Sequence, residues 1–186
     1  MGRVLAAALF LSSAGCVSFA STVASPTALE HQLLGVYEEL DRDLIHASSV
    51  RAAAGGPGSL ESLQGLALEG RALQRFHADD LAELKAAGCL AETTRAEVVR
   101  RPCAGGDADE GLLQRRLQRV VHDENRARRA ILNWAAHAYV REQGRQTPTS
   151  DELSQMRATY HRLLKEAAAI GELFEVRPGE FEEIRK

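Results

Sequence analysis

The most constraining feature of this chain is a helical repeat that begins near Leu112 and ends near Gln143, between Gly111 and Gly144. Leu113, Leu117, Val120, Ala127, Ile131, Trp134 and Ala138 recur at spacings of three, four and seven, which puts them on one face of a helix. A helix of this length draws most of its stability from packing that face, so the rest of the chain must supply partners for it. Glu124 falls on the same apolar stripe, where an isolated charge is costly.

Further helical stripes follow the same logic. Leu29, Leu33, Val36, Leu40 and Leu44 line one side of a helix opened by Ser25-Pro26 and running to about Ala54, where Gly55-Gly56-Pro57-Gly58 breaks it. A helix capped by Ser59 is predicted to about Phe76, weakened by Gly65 and Gly70. Asp79 or Asp80 is expected to cap a short helix from Leu81 to Ala87 that stops at Gly88, and residues 90–101 are read as another short helix. Thr149 and Glu152 form a capping-box pattern ahead of a last helix with Leu153, Met156, Tyr160, Leu163, Leu164 and Ala167 inward, ended by Gly171. Around Pro178-Gly179, residues 173–185 read either as a short strand pair or as a tail lying on the helices.

Aromatic residues are only 5% of the chain, so the core must be built mainly from Leu, Ala and Val, which favours packed helices over a β-sandwich. The expected fold is all-α, with four to six helices, two long helices packed antiparallel, and a short irregular C-terminal tail. A formal net charge of -3 argues against a general nucleic-acid binder, which needs a basic excess.

The first residues carry a different message. Arg3 precedes an apolar run from Val4 to Leu11, small residues follow at Ser12 to Gly15, and then comes Cys16. The run is too short to cross a bilayer, which needs about 20 residues, and it has the layout of a secretory signal. Ser13-Ala14-Gly15-Cys16 resembles a bacterial lipobox, with Ser13 where Leu is commoner. The reading is a lipoprotein precursor: signal peptide 1–15, diacylglycerol on Cys16, flexible tether 16–27, and a helical domain 28–186. The alternative is an ordinary signal peptide with an incidental Cys16. Val17, where Asp would resemble an inner-membrane retention signal, points to the outer membrane. Cys89 and Cys103 are then left as an even pair, which an oxidising periplasm commonly joins, the alternative being two free thiols.

Four phrases stand together: Leu29–Ala52, Ala78–Glu92, His122–Ala136 and Arg177–Ile184. They resemble the YdbL-like family of small bacterial envelope proteins, in its lipoprotein branch, with Glu124-Asn125-Arg126 and Pro178-Gly179-Glu180 as the strongest parts. The chain departs from that family after Gly88-Cys89-Leu90, where relatives tend to carry an Asn/Gly-rich stretch and this chain has Ala91-Glu92-Thr93-Thr94-Arg95. The resemblance implies a non-enzymatic accessory of the envelope, working with an envelope protein partner beside lipid-transport systems of the AsmA type.

The residues themselves offer few candidates for chemistry. His122, Asp123, Glu124, Asn125 and Arg126 form a dense polar cluster that suits either a structural or partner-binding role or, as the alternative, a membrane-surface hydrolase. A lipid-binding carrier with an apolar groove is a further alternative. His77, Asp79 and Asp80 have no metal-ligand spacing, His46, His137 and His161 are scattered, and no nucleophile elbow or phosphate loop occurs. No catalytic residue, metal or cofactor is expected. Arg115, Arg119, Arg126 and Arg129 lie along one helix side that suits either solvent or anionic lipid.

Overall fold

A computed structural model of the chain describes residues 27–47, 60–103 and 110–185. The signal segment, Cys16, the tether, the Ser25-Pro26 helix start and the glycine-rich breaker at 55–58 lie outside the described residues. Among the described residues five helices occur: α1 (Ala28–Ala47), α2 (Leu60–Phe76), α3 (Ala78–Ala86), α4 (Glu110–Glu142) and α5 (Ser150–Ala167). Four short strands join them: β1 (Leu90–Glu92), β2 (Val98–Arg100), β3 (Leu173–Arg177) and β4 (Glu180–Glu183). No helix among the described residues is long and apolar enough to cross a membrane.

The fold is mostly helical, and the strands correct the all-α expectation. They form one mixed sheet in the order β2-β1-β3-β4. β1 pairs antiparallel with β2 and parallel with β3, and β3 pairs antiparallel with β4. The segment read as a helix over 90–101 is therefore a two-strand hairpin, and of the two readings of residues 173–185 the strand pair holds, in place of an irregular tail. Three-residue strands are too short to display a period of two, so nothing local reports them. The β1–β3 pairing also joins Ala91 to Leu173, residues separated by both α4 and α5.

Local chemistry explains most boundaries. Thr149 caps α5 with a full capping box, its N–H donating to Glu152 Oε2 at 2.8 Å while its hydroxyl accepts from Glu152 N at 3.2 Å. Thr27 and Glu30 exchange the same pair of bonds at the start of α1. α3 starts earlier than expected: its N-cap is His77, and Asp79 and Asp80 occupy the first turn, where carboxylates favour the helix dipole. Gly88, at φ +69°, turns the chain from α3 into β1, and α5 stops at Ala167, ahead of the Gly171 turn.

Cys89 and Cys103 form a disulfide, with S–S 2.14 Å and Cα–Cα 4.3 Å. It staples the open end of the β1–β2 hairpin, where Arg101 N also donates to Cys89 O at 2.7 Å. Closing a loop of about 15 residues stabilises by roughly 3 kcal/mol in the chain-entropy account.

α4 is the spine. Its stripe buries Leu117, Val120, Ala127, Ile131 and Trp134. Leu117 and Val120 pack with Leu84, Cys89, Leu90 and Val98 in one apolar cluster. Ile131 and Trp134 pack with Leu33, Val36, Leu40, Met156 and Tyr160 in a second. α2 crosses α4 at Gly70, where an added Cβ would lie 3.0 Å from Ala127 Cα and 3.1 Å from Ala127 O. The glycine that weakens α2 on propensity is thus where two backbones touch.

Gly65 sits in the same helix with open space around it. Gly65→Ala is expected to raise stability by about 0.5–1 kcal/mol through helix propensity alone. Gly70→Val is expected to lower it by about 1–3 kcal/mol through overpacking against the α4 backbone. Urea unfolding midpoints of the two variants check the contrast.

Candidate functional site

Between the two apolar clusters the α4 stripe carries two charged residues, Glu124 and Arg128, one helical turn apart and 3% and 2% exposed. Burying them together is tolerable only because each finds partners. Arg128 Nε donates to Glu124 Oε1 at 2.6 Å. Its two terminal nitrogens fork onto Glu92 of β1, Nη1 to Oε2 at 2.5 Å and Nη2 to Oε1 at 2.8 Å. Lys85 of α3 reaches the same Glu92 carboxylate at 2.6 Å and Glu172, just before β3, at 3.3 Å. Gln74 of α2 donates to Glu124 Oε1 at 3.0 Å. Four elements and the lead into β3 are therefore joined through one fully buried guanidinium and the two carboxylates it holds.

The electrostatics follow from the packing. Burial works against the charge of Glu92, but Arg128 and Lys85 more than offset it and hold its carboxyl down at about 2. Arg128 also lies 5.4 Å over the Tyr160 ring, which stacks on Tyr37 at 5.9 Å, and Arg71 lies over the Tyr37 ring at 5.0 Å. Burial pushes the Tyr37 hydroxyl well above its ordinary range.

The polar cluster on α4 divides rather than converges. Glu124 turns inward. Asn125 clamps β2 with two bonds, accepting from Val98 N at 2.8 Å and donating to Val98 O at 2.9 Å. Asp123 faces α2 and α3, 3.0 Å from His77 Nε2. Arg126 is exposed and pairs with Glu69, and His122 is exposed. His77 is buried, and Asp80, 3.8 Å from its Nδ1, also holds Arg116 at 2.5 Å. Among the described residues no three His, Cys, Asp or Glu side chains are grouped to hold a metal ion. His137 Nδ1 lies 3.2 Å from Gln146 O, His161 packs beside Phe174, and His46 is exposed.

Two cavities flank Arg128. One, of about 290 Å³, opens between α2, α3 and α5 and is lined by Arg71, Gln74, Lys85, Glu124 and Tyr160. The other, of about 440 Å³, lies between the β1–β2 turn, α4 and α5 and is lined by Arg95, Glu97, Asn125, Arg129, Asn133 and Arg157. Of the exposed arginine row, only Arg129 reaches this cleft. Glu92, Lys85 and Arg128 were not legible as a site in the sequence. Arg128, four residues after the stripe residue Glu124, was the available signal; Glu92 carried none, because only the β1 pairing buries it.

Comparisons with protein-family models, with curated proteins and with solved structures find no match to the chain.

Arg128→Met leaves Glu92 and Glu124 buried with less compensation and is expected to destabilise by about 3 kcal/mol or more, read as a drop in the denaturant midpoint. Arg128→Lys should rescue little, because an ammonium cannot fork onto Glu92 and bond Glu124 at once.

The Glu92 carboxyl lies near 2 in the fold against an ordinary 4.5, so its contribution is whole above pH 4.5 and is lost as pH falls from 4.5 to about 2. Thermal melts across that window should show the wild type losing stability more steeply than Glu92→Gln.

Proposed function

We propose that the chain is an envelope lipoprotein, anchored through acylated Cys16 and facing the periplasm, whose helical domain acts as a non-enzymatic interaction or assembly accessory. The observation that carries the non-enzymatic reading is how Glu124, Asn125 and Arg126 are used. Each is committed to a neighbouring element: Glu124 to Arg128 and Gln74, Asn125 to Val98, Arg126 to Glu69. A hydrolase centred on His122–Arg126 needs a carboxylate open to substrate, and Asp123 is turned to His77. Glu124 accepts from two donors in a closed network instead. Such a hub makes a rigid body whose outer faces are available to a partner.

The Cys89–Cys103 disulfide supports an oxidising compartment. The contacts of α2 on α4, Gly70 at Ala127 and Gln74 at Glu124, and beyond them Asp80 of α3 at Arg116, descend α4 as the chain climbs through α2 into α3, which supports antiparallel packing of long helices. The lipobox-like Ser13–Cys16 and Val17 support an outer-membrane anchor. The resemblance of the sequence to the YdbL-like family is the support for a role beside an AsmA-type lipid-transport system, with an envelope protein as partner. Crosslinking in the native envelope followed by capture identifies that partner; recovery of the chain without any crosslinked envelope protein would sink the accessory reading.

Cys16→Ser is expected to abolish incorporation of labelled fatty acid and to release the protein from membranes on fractionation. Unchanged labelling would overturn the anchor.

A further inference from the structure

We propose that the cleft of about 440 Å³ between the β1–β2 turn, α4 and α5 is a binding site for a phosphomonoester dianion, with Arg129 and Arg157 as its principal donors. The site does not depend on where the protein works. Three arginines from three different elements line it: Arg95 from the turn, Arg129 from α4 and Arg157 from α5. One carboxylate, Glu97, faces them. It lies 3.6 Å from Arg129 and 3.9 Å from Arg95, too far for a hydrogen bond to either. Arg157 makes no hydrogen bond or ion pair among the described residues. The fourth arginine of the cleft, Arg128, is already matched by Glu92 and Glu124. Three exposed guanidiniums against one carboxylate leave an excess of two positive charges, the complement of a phosphomonoester, which carries about -1.5 to -2 at neutral pH. A lone carboxylate or a phosphodiester would match half of it.

The turn that presents Arg95 and Glu97 is held in place at a local cost. Ala96 between them has φ +62°, a left-handed conformation that costs a non-glycine residue about 1–2 kcal/mol. It persists because its methyl is buried in the larger apolar cluster and its carbonyl accepts from Arg128 Nη1 at 3.3 Å. The buried hub thus fixes the rim of the cleft, and strain kept in this way is characteristic of binding sites. Guanidinium forks match phosphoryl oxygens in geometry as well as charge. In this arrangement Glu97 is an internal counter-ion that the ligand displaces. Asn125 and Asn133 add neutral polar groups to the wall.

The ligand can come from two sources, a soluble phosphate or the headgroup of phosphatidic acid in a bilayer. The full chain is titrated with inorganic phosphate by calorimetry, and floated with phosphatidylcholine vesicles with and without phosphatidic acid. Binding in the first arm identifies a soluble ligand, phosphatidic-acid-dependent flotation a headgroup, and either result supports the site. Arg129→Ala and Arg157→Ala are each expected to lower the affinity about tenfold or more, the loss of one charge-assisted hydrogen-bonding partner. Glu97→Gln is expected to raise it. Arg115→Ala, an exposed arginine on the same helix outside the cleft, is expected to change it little. Because Arg129 and Arg157 are exposed, their variants should keep the wild-type melting temperature. The proposal is overturned if neither arm shows binding, or if Arg115→Ala loses as much affinity as Arg129→Ala.

Discussion

The structure depends on a single buried guanidinium. Arg128 is 2% exposed, and its donors are divided between a carboxylate on its own helix and one on β1, an inner strand of the sheet. A buried ion pair of this kind is a weak source of net stability, because desolvation of the charges offsets most of their attraction. It is a strong source of register. Apolar clusters tolerate sliding and repacking, whereas a forked Arg–Glu pair with additional hydrogen bonds fits in one geometry. The two apolar clusters lie on either side of this hub along α4, so it fixes how the helical layer meets the sheet.

That division of labour bears on what the protein can do. The residue types that suggested chemistry on α4 are occupied with architecture: Asn125 acts as a two-point clamp on Val98, and Asp123 is directed to His77. What remains open is the surface over the hub. The arginine-lined cleft shares Arg128 with the interior, so the group that organises the core also shapes the turn that carries Arg95 and Glu97. A disulfide closing the same hairpin restrains that turn from the other end.

Helices were legible because their signal is local. The α4 stripe, the Thr149–Glu152 capping box and the stops at Gly88 and Gly144 follow from spacing and from backbone freedom at single residues. Gly65 and Gly70 look alike in the sequence, yet only Gly70 touches another backbone, and no pattern along the chain distinguishes them. The β1–β2 hairpin was not legible for a related reason, whereas the β3–β4 pair was one of two readings around Pro178-Gly179. A segment such as Leu90-Ala91-Glu92 is too short for alternation, and all three residues are buried because a neighbour lies on each side.

The sequence by itself determined the helical periodicity, the caps, the even cysteine pair and the presence of a carboxylate on an apolar helical face. Each is a property of residues a few positions apart, or of residue types alone. Only the tertiary structure decided which arginine answers that carboxylate, that Glu92 lies in the interior, and that Arg95, Arg129 and Arg157 share one cleft. Those facts depend on the parallel pairing of β1 with β3 and on the close approach of α2 to α4. Both are contacts between distant segments, selected by the mutual fit of surfaces that no single stretch of the chain contains.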